Sequence, residues 1–299
     1  MRLVVLAKQV PDTRQVTGQV MREDGTLNRA ALPAVYNPDD LYALEQALRL
    51  KDRFGGRVTV VTMGPPAAVR LLQESLYRGA DEVILLSDGR FAGADTLATS
   101  YVLSLAVRRL GVVDLVLCGR QAIDGDTAQV GPQVAQQLGL PQVTYVNRVD
   151  DLAGGSITVR RRVDEGYQTV RCPLPALLTV TDEAPEPRPP SAKLLMIYKN
   201  VASSVTSAYD DSYLDPESPS SEVCHIDHMG RPLCRARVIV WDMDAVGAER
   251  ERVGLHGSAT RVRRVENVVL AASQARMVAA TDEELGGLVA ELRREHILE

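Results

Sequence analysis

The segment at residues 118–131, CGRQAIDGDTAQVG, contains the residue types best suited to binding a ligand. It follows the apolar run VDLVL and precedes a helical pattern, so it lies where a buried strand ends and a helix begins. Its glycines allow backbone N–H groups to approach a ligand closely, and Thr127 and Gln129 add neutral hydrogen-bonding groups. Because the following helix presents its positive end to the same place, the segment predicts a phosphate or pyrophosphate site.

Two carboxylates within this segment leave two interpretations open. Asp124 and Asp126 could accept hydrogen bonds from ribose hydroxyls or an adenine amino group, or they could only cap the turn. Pro132 is tolerated in the first turn of a helix but not in its interior. The helix is therefore predicted to begin near Gly131, after a long loop with free backbone amides.

The common signatures of other sites are absent from the sequence. It contains no G-x-G-x-x-G, no G-x-x-x-x-G-K-[ST], no H-E-x-x-H and no C-x-x-C. The usual dinucleotide, triphosphate, zinc-protease and dithiol sites are thereby excluded, and a ligand site of another kind is expected.

The overall charge and hydropathy exclude two further classes of function. The chain of 299 residues has a formal net charge of −5, whereas nucleic-acid binding needs a basic surface, so we expect no nucleic-acid partner. The basic stretches at 159–163 and 261–265 are interpreted as solvent-facing strands or turns. No apolar run approaches the ~18 residues of a membrane span, so the protein is predicted to be cytoplasmic and not to span a membrane.

The elements that must position residues 118–131 can be predicted from periodicity. Short apolar runs rich in Val, Ile and Leu alternate with amphipathic segments, as buried parallel strands alternate with helices. This alternation predicts an α/β fold, a parallel sheet with helices on both faces. The predicted strands are residues 3–10, 57–63, 82–86 and 113–119, and the helices start at Asn37, Pro66, Asp95 and about Gly131.

The start of the first helix is the most clearly marked. Asn37 is predicted as its cap, Pro38 occupies the first helical position, and Asp39 and Asp40 suit the positive end of the helix dipole. Gly55 is predicted to end this helix.

The pattern changes after Leu140. The runs ITVRRRV, GYQTVRC and ALLTVT predict antiparallel strands that extend the edge of the sheet. The proline-rich residues 181–190 predict the end of the compact domain, leaving an α/β domain at 1–190 and an extended C-terminal arm at 191–299. Thr281 and Glu284 form a capping box before a narrow leucine stripe, which predicts a terminal amphipathic helix that packs on a partner chain.

In an open parallel sheet, ligands bind beyond the carboxyl ends of the strands. The residues expected there are Ala7 and Lys8, residues 37–40, residues 62–66 and residues 118–131.

These segments together resemble a known family. Five segments are similar to the β subunit of electron-transfer flavoproteins, over roughly residues 1–200. They are KQVPDT, NPDDLYALEQALRLKD, TMGPP, GADTLATS and CGRQAIDGDTAQVGPQVAQQLGLPQVT. The glutamine-alanine-isoleucine-aspartate turn is that family's nucleotide loop. The resemblance implies a three-layer α/β domain of the nucleotide α-hydrolase or Rossmann-like type, which pairs with an α subunit and holds an adenine nucleotide.

The resemblance also implies which residues contact the ligand. The loop version DGDTAQVG looks like that of electron-bifurcating members, which favours FAD, with AMP as the alternative. The implied ligand contacts are Leu6, Ala7, Lys8, Asn37, Pro38, Asp39, Asp40, Met63, Gln121, Ala122, Ile123, Asp124, Gly125, Asp126, Thr127, Ala128, Gln129, Val130, Gly131 and Pro132.

The activity implied by the resemblance belongs to an oxidoreductase component. NADH would transfer hydride to the flavin of this subunit, and single electrons would pass to the FAD of the α subunit and to a low-potential acceptor such as ferredoxin. A quinone oxidoreductase with an iron–sulfur subunit is a further candidate partner. Since the cofactor carries this chemistry, no residue is predicted to be catalytic. The alternatives are an AMP-binding electron carrier and a stand-alone adenine-nucleotide sensor.

Two segments depart from the family pattern. The position of the leucine that anchors partner dehydrogenases in the mitochondrial type is Ala192 here, which favours a different partner. A second departure, CHIDHMGRPLC at 224–234, contains Cys224, His225, His228 and Cys234, whose soft and borderline ligands could hold zinc. Their spacing matches no standard finger, so an ordinary loop is the favoured interpretation.

Overall fold

The computed structural model describes residues 1–12, 33–199, 201, 225–226, 232–233, 238–260 and 278–294. Within them lies a nine-stranded sheet. Its strands are β1 Arg2–Leu6, β4 Arg57–Met63, β5 Glu82–Leu86, β6 Leu115–Gly119, β7 Gln142–Ala153, β8 Ser156–Val163, β9 Gly166–Pro173, β10 Ala176–Val180 and β13 Val238–Trp241. Across the sheet, their order is β13-β5-β4-β1-β6-β10-β7-β8-β9. Two small sheets pair β2 Gln9–Pro11 with β3 Ala34–Tyr36, and β11 His225–Ile226 with β12 Pro232–Leu233.

Helices cover both faces of the parallel part of the sheet. The helices are α1 Pro38–Phe54, α2 Val69–Arg78, α3 Thr96–Arg109, α4 Val130–Leu138, α5 Ala192–Tyr198, α6 Gly254–Gly257 and α7 Asp282–Arg294. Leu3 and Val5 of β1 pack on the face covered by α1 and α2, while Val4 and Leu6 pack on the face covered by α3 and α4. This alternation confirms the predicted three-layer α/β fold.

The strand predictions need two corrections. The run at 3–10 divides, because β1 ends at Leu6 and β2 pairs with β3 in a separate sheet. The run at 176–180 is not an antiparallel edge strand, since β10 lies between β6 and β7 and is parallel to both. All five residues of β10 are buried, as a central strand requires. The antiparallel arrangement predicted for β8 and β9 is confirmed.

Part of the predicted C-terminal arm belongs to the sheet. β13 pairs in parallel with β5, and the backbone N–H of Met243 donates to the Asp88 carboxylate at 3.1 Å. Helix α5 also contacts the domain, because the side-chain amide of Gln73 donates to the carbonyl of Tyr198 at 3.1 Å. The arm predicted for residues 191–299 is therefore not extended at 192–199 or 238–260, although the division into two domains stays a prediction.

The terminal helix α7 forms as the sequence predicts. The backbone N–H of Glu284 donates to the Thr281 hydroxyl at 3.4 Å, which is one half of the expected capping box. None of the residues of α7 is buried, and Leu285 and Val289 are 45% and 44% exposed. Among the helices that the structure describes, none combines the length and the apolarity of a membrane span.

The candidate metal ligands are not tested. Cys224, His228 and Cys234 lie outside the described residues, and only the backbone of His225 is described. In the described part of the chain, no group of three or more His, Cys, Asp or Glu could hold a metal ion.

Candidate functional site

A cavity of about 430 Å³ lies beyond the carboxyl ends of β1, β4 and β6, where the sheet topology predicts a ligand. Many of the predicted contact residues line it, and the 118–131 segment forms one wall. The predicted residues in its lining are Leu6, Ala7, Lys8, Asp40, Met63, Gln121, Ala122, Gly125, Asp126, Thr127, Ala128, Gln129, Val130 and Gly131. Outside the lining are Asn37, Pro38, Asp39, Ile123, Asp124 and Pro132.

The loop between β6 and α4 has an unusual backbone. Asp126 and Ala128 have φ values of 48° and 52°, in the left-handed region that non-glycine residues rarely adopt. Part of the turn is held by the Ala122 carbonyl, which accepts from the N–H groups of Gly125 at 3.2 Å and Asp126 at 2.9 Å. Such conformations persist only where surrounding contacts impose them, and they are frequent at ligand sites.

Two glycines of this segment are required by packing. A Cβ at Gly131 would lie 2.7 Å from the Cys118 sulfur, and a Cβ at Gly119 would lie 2.6 Å from the Cβ of Asp39. Around Gly125, by contrast, nothing described lies within 4 Å of such an atom. Gly131 therefore allows the start of α4 to lie against the sheet, and Gly119 allows the start of α1 to approach the end of β6, whereas Gly125 faces open space.

The N-terminus of α4 borders the cavity. The helix begins at Val130, one residue before the predicted start, and no described side chain caps it. Gln129, at the cap position, instead lies with its side-chain oxygen 3.0 Å from the Thr96 hydroxyl. Since the first amides of a helix have no partner within it, this end offers partial positive charge and hydrogen-bond donors to an anion.

Asn37 occupies the cap position of α1 but does not cap the helix. Its side-chain amide donates to the carbonyl of Gln121 at 2.8 Å, and its side-chain oxygen accepts from the N–H of Ile123 at 3.1 Å. The predicted cap position is therefore confirmed, but the side chain makes no hydrogen bond to the helix. Fully buried, Asn37 holds the cavity loop from outside the cavity.

Asp40 connects two strand ends below the cavity. One carboxylate oxygen accepts from the N–H of Gly119 at 2.7 Å, and the other accepts from the N–H of Lys8 at 2.9 Å. Burial raises the pKa of Asp40 to about 7, although these two amide donors act to lower it.

The remaining charged groups near the cavity are partly paired. The Lys8 ammonium lies 2.7 Å from Asp124, and the guanidinium of Arg120 lies 3.5 Å from Asp39, whose pKa is raised by burial. Asp126 accepts from the side-chain amide of Gln121 at 2.8 Å. Asp124 thus forms an ion pair across the cavity edge, and Asp126 supports the turn itself.

Several lining residues were missed by the sequence reasoning. They lie between residues 91 and 103, around the start of α3, where Asp95 accepts from the N–H of Ala98 at 3.0 Å as the helix cap. The segment GADTLATS follows β5, so the rule on strand ends, applied to this strand as well, would have found it. The missed residues are Phe91, Gly93, Ala94, Asp95, Thr96, Thr99 and Leu103, whereas Cys118, Gly119 and Arg120 belong to the predicted segment 118–131 without being among the individually predicted contacts.

Comparisons with known proteins identify the family. The family model described as electron transfer flavoprotein domain matches residues 24–200, more than half of the chain. The chain belongs to the electron transfer flavoprotein family. This confirms the resemblance at the level of the family, and the matched range includes most of the cavity lining.

Relatives match this family member along most or all of its length. The electron transfer flavoprotein subunit beta of Clostridium acetobutylicum is 38% identical over 298 residues, with 100% of both chains covered. The caffeyl-CoA reductase-Etf complex subunit CarD of Acetobacterium woodii is 39% identical over 301 residues, again with 100% of both chains covered. Protein FixA of Azorhizobium caulinodans is 41% identical over 285 residues, covering 93% of this chain and 88% of its own.

Proposed function

We propose that this chain is the β subunit of a heterodimeric electron transfer flavoprotein and that it binds FAD in the cavity beyond β1, β4 and β6. The observation that carries the proposal is the uncapped N-terminus of α4 bordering a cavity of about 430 Å³. A phosphate group suits the amides of such a helix end. Family membership supplies the expectation that the phosphate belongs to an adenine nucleotide.

The side chains of the cavity fit a dinucleotide. Apolar groups of Leu6, Met63, Phe91 and Leu103 line the cavity together with polar groups of the loop. A flat apolar ring would pack on the former, while the amides at Val130 and Gly131 and the hydroxyl of Thr127 would hold phosphate.

The cations at the cavity suit a phosphate ligand as well. Arg120 lines the cavity, is 36% exposed and contacts Asp39 only at 3.5 Å, so its planar donor group can also reach a ligand. Lys8 is already paired with Asp124 at 2.7 Å. We therefore expect Arg120 to contribute more to phosphate binding than Lys8.

Bound FAD would supply the redox chemistry, accepting hydride from NADH and passing single electrons to the FAD of an α subunit and to a low-potential acceptor such as ferredoxin. The residues of this chain would bind the nucleotide and orient it. FAD is preferred to AMP because the loop DGDTAQVG resembles that of electron-bifurcating members. One full-length relative is, by name, a subunit of a caffeyl-CoA reductase-Etf complex.

An α subunit is the proposed partner of helix α7. Leu285 and Val289 are exposed on this helix, and an amphipathic stripe of this kind is stabilised when a second chain covers it. Ala192 begins helix α5 in place of a leucine anchor, so we expect the acceptor protein to differ from an acyl-CoA dehydrogenase. A quinone oxidoreductase with an iron–sulfur subunit is the alternative acceptor.

The test is to co-purify the chain with its α subunit, denature the complex, and identify and count the released nucleotides. Two FAD and no AMP per heterodimer, with bleaching of the flavin absorbance on anaerobic addition of NADH, would support the proposal. One FAD and one AMP would contradict it and leave a simple electron carrier. A chain that binds nucleotide as a monomer and does not associate with the α subunit would instead be a sensor.

A further inference from the structure

Asp40 lies between the two strand ends that form the floor of the cavity. Its carboxylate oxygens are engaged separately, one by the N–H of Gly119 after β6 and the other by the N–H of Lys8 after β1. Gly119 and Lys8 both line the cavity. Because β1 and β6 are already paired in the sheet up to Leu6 and Cys118, the side chain fixes the backbone just beyond that last pair, at Lys8 and Gly119.

The packing around this contact leaves little freedom for adjustment. Asp40 is 6% exposed, and a Cβ at Gly119 would lie 2.6 Å from the carboxylate oxygen that accepts its N–H. The partners of the carboxylate are backbone amides rather than mobile cations, and hydrogen bonds to an ionised acceptor are among the stronger ones in proteins. Any change in the acceptor must be absorbed by movement of the backbone at Lys8 or Gly119, because β1 and β6 themselves are held together by their pairing in the sheet.

We infer that Asp40 is a positioning residue of the nucleotide site, which holds the backbone of Lys8 and Gly119 in the arrangement that retains the bound nucleotide. This inference rests on the proposed function, because it assigns a role within the same site. Asp40, which also lines the cavity, thereby holds Lys8 and Gly119, two further lining residues.

A pH dependence of nucleotide retention follows. Since burial raises the pKa of Asp40 to about 7, the carboxylate takes up a proton as the pH falls through neutrality. The protonated oxygen then presents O–H toward a backbone N–H, and one of the two hydrogen bonds weakens. Nucleotide should therefore be lost faster at pH 6 than at pH 8.

Other titratable groups also face Asp40. Tyr36 on β3 and Cys118 on β6 both have pKa values raised by burial, which moves their titration away from neutrality. Asp39, the adjacent carboxyl on α1, has a pKa raised by burial and faces Arg120. Lys8 contributes a cation paired with Asp124. Asp39 is thus the group whose titration must be separated from that of Asp40.

The experiment measures the rate at which the copurified nucleotide, identified as FAD or AMP, is lost from the complex with the α subunit between pH 6 and pH 8.5. In Asp40→Asn, an NH₂ group replaces one acceptor oxygen and opposes a backbone N–H. We expect loss at pH 8 to be on the order of tenfold to a hundredfold faster, as for one hydrogen bond to a charged group. We also expect the pH dependence near 7 to disappear. Asp52→Asn, an exposed substitution of the same type on the same helix, is the matched control.

The outcomes separate the inference from the proposed function. If the unmodified complex contains no nucleotide, the proposed function fails. If it contains nucleotide but Asp40→Asn loses it no faster than Asp52→Asn, or keeps the same pH dependence, only the inference fails. If Asp40→Asn does not fold, the inference is tested on the unmodified complex alone. A rate of nucleotide loss that does not change from pH 6 to pH 8.5 would overturn it.

Discussion

Helices α1 and α4 begin at the same edge of the sheet, yet their first turns are used in opposite ways. At the start of α1, Asn37 and Asp40 direct their side chains to loop and strand-end backbone at Gln121, Ile123, Gly119 and Lys8. At the start of α4, no described side chain caps the helix, and Val130 and Gly131 line the cavity. The start of α1 thus supports the cavity loop through its side chains, whereas the backbone amides at the start of α4 remain available to a ligand.

Helix α3 is intermediate between the two. Asp95 caps it through one carboxylate oxygen, while the other accepts from the N–H of Thr260 at 2.9 Å. This helix start lines the cavity but already has a carboxylate at its positive end. An anionic ligand is therefore expected at α4 rather than at α3. If this comparison holds, changes at α1 should act through the shape of the loop, and changes at α4 should act directly on the ligand.

The largest effect is expected for Asn37→Ala at the start of α1. The substitution removes two hydrogen bonds to the cavity loop and leaves the Gln121 carbonyl and the Ile123 N–H without them. Both groups are only partly buried, so each lost hydrogen bond is expected to cost toward the lower end of about 1–3 kcal/mol, and the free energy of unfolding should fall by about 2–4 kcal/mol. Urea denaturation measures it. A change below about 1 kcal/mol would show that the loop does not depend on α1.

The next effect is expected for Gly131→Ala at the start of α4. The new Cβ would lie 2.7 Å from the Cys118 sulfur, so the helix must move away from the sheet. Overpacking of this kind typically lowers the free energy of unfolding by about 1–3 kcal/mol. Gly125→Ala is the control, because nothing described lies within 4 Å of its new Cβ. Equal destabilisation by both variants would contradict the packing role of Gly131.

A third substitution separates stability from binding. Gln129→Asp places a carboxylate at the uncapped start of α4, where interaction with the helix dipole should raise the free energy of unfolding by about 0.3–1 kcal/mol. The same charge would repel a phosphate, so nucleotide affinity should fall by roughly tenfold. Gln136→Asp, an exposed position later in α4, controls for the added charge. Unchanged affinity in Gln129→Asp would place the ligand's phosphate elsewhere.

The smallest effect is expected for the ion pair at the cavity edge. Lys8 and Asp124 are 50% and 25% exposed, and ion pairs in such positions usually contribute less than about 1 kcal/mol. A double-mutant cycle with Lys8→Met and Asp124→Asn should therefore give a small coupling energy, which decreases further at high salt. A coupling energy well above about 1 kcal/mol would mean that the Lys8–Asp124 ion pair holds the loop as strongly as the contacts from α1 do.

Local sequence patterns were sufficient to predict much of the framework. The apolar runs marked β4, β5 and β6, and Asn37 with Pro38 marked the start of α1. The cavity wall at residues 118–131 was also predicted, because a glycine-containing turn between a strand and a helix has a recognisable composition. These features depend on neighbours a few residues apart, where periodicity and backbone preferences act directly.

Other features could not be predicted from local patterns. Placement of β10 between β6 and β7 and addition of β13 beside β5 depend on pairing between distant segments. Strand order is set by which apolar faces become buried together, and one short buried strand has nearly the same composition as another. The start of α3 was predicted as a helix start but not as part of the cavity, since the end of the third strand was not considered.

The α/β framework, the family and the loop that forms one wall of the cavity thus follow from the order of residues along the chain. The roles of Asn37 and Asp40 depend on the folded arrangement, because their residue types equally suit a helix cap and a first turn. Asp40 meets the N–H of Gly119 across 79 residues of sequence, at 2.7 Å. A buried carboxylate takes whichever donors the folded chain brings within hydrogen-bonding distance, and those donors are known only once the strands are paired.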